Sequence, residues 1–237
     1  MVESASPPAA RVARAPHAAA GRDGRSTRWD PHRRERRTAI IEAAVEAIEQ
    51  FGPDALTAQI AAKAGVPRTH VYRHFDGKPA LDLAVSTYVS NQIGEQIRAG
   101  LATRGSARDV IRASVDKHLG WIEAHPNLYR FLAANAYAIT GRDGAAPTDA
   151  KAAFARELTT LIRGYAAALG ARLEPPPRVI VGVVALVDAT AAWWVDRPDL
   201  PRPELTAELT EQVWLLLERS ARQLGLSLTP DQQLPAL

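Results

Sequence analysis

Not one cysteine occurs in the 237 residues of this chain, so a disulfide framework and a thiolate metal site are both excluded. No segment sustains a period-two alternation of apolar and polar residues, so a β-sheet is not expected, and no internal repeat is present. The N-terminus lacks a continuous apolar core of the kind a secretory signal needs, and cytoplasmic residence is the expectation. Nucleophile–base pairs are missing, and Gly65, Gly77 and Gly94 fit no phosphate-cradling loop, so enzymatic chemistry has no motif to rest on. A helical enzyme stays only as a remote alternative. His70 and His74 have the i, i+4 spacing of helical metal ligands, but Val71 stands where a metalloprotease helix would carry glutamate. No third ligand lies nearby in sequence, so neither a metal nor a cofactor is expected.

What is present is helical periodicity over most of the length. The formal charge is only +3, yet the basic residues are concentrated. Arg11, Arg14, Arg22, Arg25, Arg28, Arg33, Arg34, Arg36 and Arg37 all precede the first apolar stripe. Residues 1–30 are rich in Ala, Pro, Arg and Ser, without periodicity, and are expected to be a disordered tail. Two readings of that tail stay open: a solvated extension without a role, or a basic arm adding phosphate or minor-groove contacts. The apolar run Val179–Val195 is too short for a bilayer span of roughly 20 residues and carries Asp188 at its middle. It is expected as a helix of a soluble protein, buried nearly all round.

The segment Leu56–Leu81, LTAQIAAKAGVPRTHVYRHFDGKPAL, carries the functional signal. A short helix over Thr57–Ala64 offers Ile60, Ala61 and Ala64 as one apolar face. Gly65 supplies the positive φ of a tight turn, and Val66 fills the angle. A second helix over Pro67–Phe75 turns Val71 and Phe75 inward and Thr69, Tyr72 and Arg73 outward. A short helix with that outer face suits a DNA major groove.

In order, the apolar helix Ile40–Val45 ending at Phe51-Gly52, Thr57, Ile60-Ala61, Ala64-Gly65-Val66, Tyr72-x-x-Phe75 and Lys78-x-x-Leu81 resemble the N-terminal domain of the TetR family of bacterial transcriptional regulators. The resemblance covers about a quarter of the chain, from Arg33 to Val89. Two features depart from the family pattern: only Ala58 and Gln59 separate Thr57 from Ile60, and Pro67 replaces the usual Ser or Thr cap. The implied fold is all-α, with a helix-turn-helix domain over 31–80 and a helical ligand-binding and dimerisation domain over 81–237. About nine helices are expected: up to Phe51, the two described above, then Gly77–Leu101, Ala107–Ala124, Asn127–Thr140, Thr148–Leu169, Pro177–Asp196 and Arg202–Leu224.

Arg68, Thr69 and Arg73 are the candidates for base contact, because arginine bridges guanine O6 and N7 while the threonine methyl meets thymine. By the resemblance, Thr57, Tyr72, His74 and Lys78 fall at phosphate-contact positions, with Arg36 or Thr38 beside them. His70 is read as DNA-facing or packing. In the second domain, Trp121, Tyr129, Phe131, Asn135, Tyr137, Asp188 and Trp193 are candidates to enclose a small apolar effector, with His118, Asn135 and Asp188 as polar groups interrupting apolar faces. Plain core packing is the alternative for each aromatic. The apolar eighth helix, with Leu205, Leu209, Val213, Leu216 and Leu217 of the ninth, is the expected homodimer contact. The function implied is a homodimeric repressor on a palindromic DNA operator, released by a small apolar ligand. A ligand-independent activator or architectural factor is the alternative.

Overall fold

The computed structural model describes the backbone of residues 26–139, 148–172, 174–197 and 199–235. The N-terminal tail before Ser26 and the side chain of Tyr137 lie outside the described residues. Two compact units are delimited, residues 1–36 and 37–237. Within the first, the opening turns of helix α1 (Ser26–Phe51) are held locally by His32 Nδ1 against Glu35 at 3.2 Å. This helix begins five residues before Pro31, the start expected from sequence, so Pro31 stands sixth in it, past the first turn, and its missing N–H forgoes the bond to the Thr27 carbonyl.

The second unit holds the rest of α1 and eight further helices among the described residues. These are α2 (Thr57–Lys63), α3 (Arg68–His74), α4 (Gly77–Leu101), α5 (Ala107–Ala124), α6 (Pro126–Ile139), α7 (Thr148–Ala168), α8 (Pro177–Trp194) and α9 (Arg202–Gln223). No strand occurs among them; one isolated bridge joins Ser106 to Gln233. The fold is all-α, as the periodicity implied.

One apolar core runs from Ile40, Ala44 and Ile48 of α1 through Ile60, Val71 and Phe75 to Leu81, Val85 and Val89 of α4. It continues into Leu119 and Ile122 of α5 and Phe131 of α6. Helix α4 is therefore shared by the helix-turn-helix and C-terminal parts. Its far end lies tightly on α5: a Cβ on Gly100 would stand 2.4 Å from Ser114 Cα. Ser106 caps α5, its hydroxyl and backbone N–H both engaging the Asp109 carboxylate at 2.8 Å.

Two expectations need correction. Helix α8 is not buried nearly all round: Ile180, Val183, Ala191 and Trp194 are buried, while Val181 and Trp193 are 57% and 49% exposed. By length and composition alone α8 is apolar enough to cross a membrane, but the buried stripe packs it among α7, α9, α5 and α6. Leu205, Leu209 and Val213 of α9 are not surface residues either. They are buried within the chain, where α9 packs on α5, and the exposed leucines of α9 are Leu215 and Leu216. The stripe at i, i+4, i+8 was read on the correct helix but belongs to its inner face.

Candidate nucleic-acid interface

Helices α2 and α3 meet at a turn built by Gly65, whose φ of +62° closes the end of α2. The Val66 N–H donates to Ala61 O at 3.0 Å and the Gly65 N–H to Ala62 O at 3.2 Å, satisfying carbonyls that the helix end leaves open. Helix α3 then starts after Pro67, whose extended backbone serves as a cap without a side-chain hydrogen bond. At the start of α2 the shortened Thr57–Ile60 spacing is accommodated: Gln59 reaches back to accept from the Leu56 N–H at 2.7 Å, and Thr57 is buried.

The faces of α3 separate as the pattern required. Val71 and Phe75 are 1% and 2% exposed, while Arg68, Thr69, Tyr72 and Arg73 lie in solvent and His70 and His74 are half-buried. The two imidazoles stack with centroids 5.4 Å apart. Among the described residues no group of three or more His, Cys, Asp or Glu stands close enough to hold a metal ion.

Thr57, Arg68, Tyr72 and Lys78 converge. Arg68 donates to the Tyr72 hydroxyl at 3.1 Å, and its guanidinium lies 5.6 Å from the ring centroid. A hydrogen bond from the Thr57 side chain, foremost, then that from Arg68 and the charges of Arg68 and Lys78, hold the phenol below its usual pKa. Stabilisation of negative charge on that oxygen marks a cationic, donor-rich spot, which is what a phosphate oxygen requires. Lys78 is itself tied to Asp82 at 2.6 Å and partly buried, so its charge is positioned but half-neutralised.

One residue of this region was not legible from the sequence motif. Arg37 donates from Nη1 to the His74 carbonyl at 2.7 Å, and its guanidinium lies 4.1 Å from the Phe75 ring centroid. It thus closes the C-terminus of α3 where the helix leaves carbonyls unsatisfied and the dipole favours a cation. Its partner is 37 residues away, and no local spacing announces the pairing.

The candidate effector residues do not form one cluster. Tyr129, buried on α6, donates its hydroxyl to Asp188 O at 3.0 Å, and Lys151 of α7 binds the Asp188 carboxylate at 2.6 Å. His118 of α5 meets the Tyr129 ring edge-on at 6.4 Å. Burial first, then the Asp188 charge, pushes the Tyr129 phenol above its usual pKa. Phe131 is fully buried, and Asn135 donates back to the Phe131 carbonyl at 2.9 Å. Trp193 instead faces outward under the Arg197 guanidinium, 4.2 Å from its ring. Trp121 lies elsewhere, against His125, on the wall of a cleft of about 770 Å³ that Glu46, Glu49, Lys63 and Glu95 also line.

A small helix-turn-helix with a cationic outer face, continuous through one helix with a larger α-helical part, defines a helix-turn-helix DNA-binding regulator. The chain belongs to the tetR family of bacterial regulatory proteins, whose profile matches residues 40–85; a tetracyclin repressor-like C-terminal domain profile matches residues 96–227. An uncharacterised helix-turn-helix-type transcriptional regulator of Mycobacterium tuberculosis is 33% identical over 204 residues, 82% of each chain. The transcriptional activator FasR of Mycolicibacterium smegmatis is 30% identical over 169 residues, 70% of this chain and 76% of its own. A tetR-family regulator from Streptomyces coelicolor shares the fold with a TM-score of 0.64 at 22% identity, covering 80% of this chain and 83% of that one.

Proposed function

We propose that this protein is a homodimeric, cytoplasmic repressor that binds a palindromic operator and is released by a small apolar ligand. The observation that carries the DNA part is the outer face of α3. Arg68, Thr69, Tyr72 and Arg73 are all exposed on a helix anchored by buried Val71 and Phe75. Arg68, Thr69 and Arg73 read bases; Thr57, Tyr72, His74 and Lys78 serve phosphates, with His70 at the margin of the interface. Two such helices related by a two-fold axis need half-sites about 34 Å apart, or a multiple of that.

The effector is placed in the C-terminal unit, near Tyr129, Phe131 and Asp188, with Asn135, Trp121 and Trp193 as further candidates. Helix α4 follows α3 after two residues and its far end is locked to α5 at Gly100. A ligand that alters the packing of α5 therefore changes the tilt of α4 and the separation of the two recognition helices. Ligand and operator then favour different arrangements and weaken each other's binding equally.

Fluorescence anisotropy with a palindromic operator and its half-site tests the reading. Arg73→Ala should weaken specific binding about tenfold or more, at roughly 1–3 kcal/mol per bidentate contact, and Tyr72→Ala should weaken it across sequences. Binding indifferent to operator symmetry and to both substitutions would overturn it. A second reading, activation, is favoured by the similarity to FasR, which is named an activator. Transcript levels from the regulated promoter with and without the intact gene distinguish the two signs.

A further inference from the structure

His118 is a buried titratable side chain of the C-terminal part with one ring nitrogen left without a hydrogen bond among the described residues. It is 6% exposed, and the nitrogen is Nδ1. Four helices bring polar groups to it or beside it: α5 the imidazole itself, α6 Tyr129, α8 Asp188 and α7 Lys151. The neighbouring side chains that α5 and α6 bury are apolar, with Leu119, Ile122 and Phe131 all at or below 2% exposure. Buried polar atoms are almost always paired, and one left unpaired in such a core is a standing cost that a bound group can remove.

The partners already made limit what that group can be. Tyr129 spends its hydroxyl proton on the Asp188 carbonyl, and Lys151 is bound to the Asp188 carboxylate. Among the described residues the charges that act on His118 are those of Asp188 and Lys151, and these are already paired with each other. Burial, ahead of the opposing pull of Asp188, drops the imidazole to a pKa of about 4, so at neutral pH it carries no charge. A neutral imidazole nitrogen donates to a carbonyl or accepts from a hydroxyl, according to its tautomer. It offers a carboxylate less, because an uncharged imidazole supplies no positive charge to offset a second carboxylate beside Asp188.

Resting on the effector reading above, we propose that the effector is an uncharged amphiphile, an apolar body with one hydroxyl or ester carbonyl, and that His118 Nδ1 selects it by hydrogen bonding to that group. His118 is thus a specificity determinant of the sensor, and Tyr129 and Asp188 are positioning residues that hold the imidazole's surroundings.

Titration calorimetry and thermal shift on the full-length protein, at neutral pH, test this with four probes of one chain length: decane, decanol, methyl decanoate and decanoate. Decanol and methyl decanoate should bind at least tenfold more tightly than decanoate. His118→Phe, which keeps an aromatic of similar volume, should lose at least tenfold for the two neutral polar probes and leave decane unchanged. The headgroup comparison on the unsubstituted protein stands even where that variant folds poorly, and His118→Gln, which retains a hydrogen-bonding amide, should recover part of the affinity. Equal affinity for the ester and the acid, or probe binding unchanged in His118→Phe, overturns the assignment of His118 while leaving an apolar effector site intact. Failure of all four probes, decane included, would overturn the effector reading itself and this inference with it.

Discussion

Single side chains in this protein make commitments that its helix pattern does not announce. His118 is the clearest. Its folded pKa of about 4 lies below the 6.5 of an unfolded chain, so between these values the unfolded state holds a proton that the folded state refuses. Stability therefore falls as pH drops from about 6.5 to about 4, by up to about 3 kcal/mol at roughly 1.4 kcal/mol per pKa unit. His118→Gln should flatten that part of the curve; the difference in urea midpoint between pH 7.5 and 4.5, compared with the unsubstituted chain, measures it. An equal slope in both proteins would mean that other groups carry the whole pH dependence. Arg37 makes a different commitment, since its guanidinium both closes α3 at His74 and covers Phe75. The bond is at an exposed site, so about 1 kcal/mol is the expected loss in Arg37→Ala. Operator affinity should fall about threefold to tenfold while circular dichroism keeps the helical signal, because the recognition helix loses its end and the fold does not.

At the scale of helices, what was legible depended on punctuation. Gly65, Pro67 and Gly77 mark turns and starts, and α2, α3 and α4 begin and end within a residue or so of where those residues put them. The recognition face was legible for the same reason: seven residues with two inward positions leave little freedom about what points out. The start of α1 was not, because Pro31 resembles a boundary and yet the helix runs through it from Ser26. The buried polar cluster of the C-terminal part was only half legible. His118, Tyr129, Lys151 and Asp188 come from four helices, and periodicity orders residues along one helix without saying which neighbours they meet across the core. The exposed face of α8 was misjudged for the same reason, since an apolar helix reads alike whether its second face meets its own chain or another. Where two helices do meet closely, a small change is informative. Gly100→Ala would drive a methyl into the backbone of α5 at Ser114, which cannot give as a side-chain tip can. A loss of about 1–3 kcal/mol in thermal or urea unfolding is expected. In the operator assay, ligand release should weaken together with stability, because this contact joins α4 to α5. Retained stability with undiminished coupling would show that α4 moves without α5.

Among the described residues, helices α8 and α9 each leave large apolar side chains in solvent. Val181 and Trp193 on α8, with Leu215 and Leu216 on α9, are 42–60% exposed, and α8 and α9 pack on each other. An isologous pair would cover these four side chains with their own copies, and such a pair is what a palindromic operator demands. The inner stripe of α9, Leu205, Leu209 and Val213, is fully occupied within the chain, so a dimer built on it would require unfolding. The two faces therefore respond differently to charge. Leu215→Glu should leave the monomer folded, since a residue 60% exposed loses little by becoming polar. It should raise the dimer dissociation constant by at least a hundredfold, because the buried carboxylates of the two copies would meet without partners. Leu209→Glu, at a fully buried position, should instead prevent folding. Sedimentation velocity separates the outcomes. A folded Leu215→Glu monomer should bind a single half-site weakly and lose the preference for the palindrome, since each recognition helix would then act alone. A Leu215→Glu protein that sediments as an undisturbed dimer would place the two-fold contact on another surface and remove α9 from it.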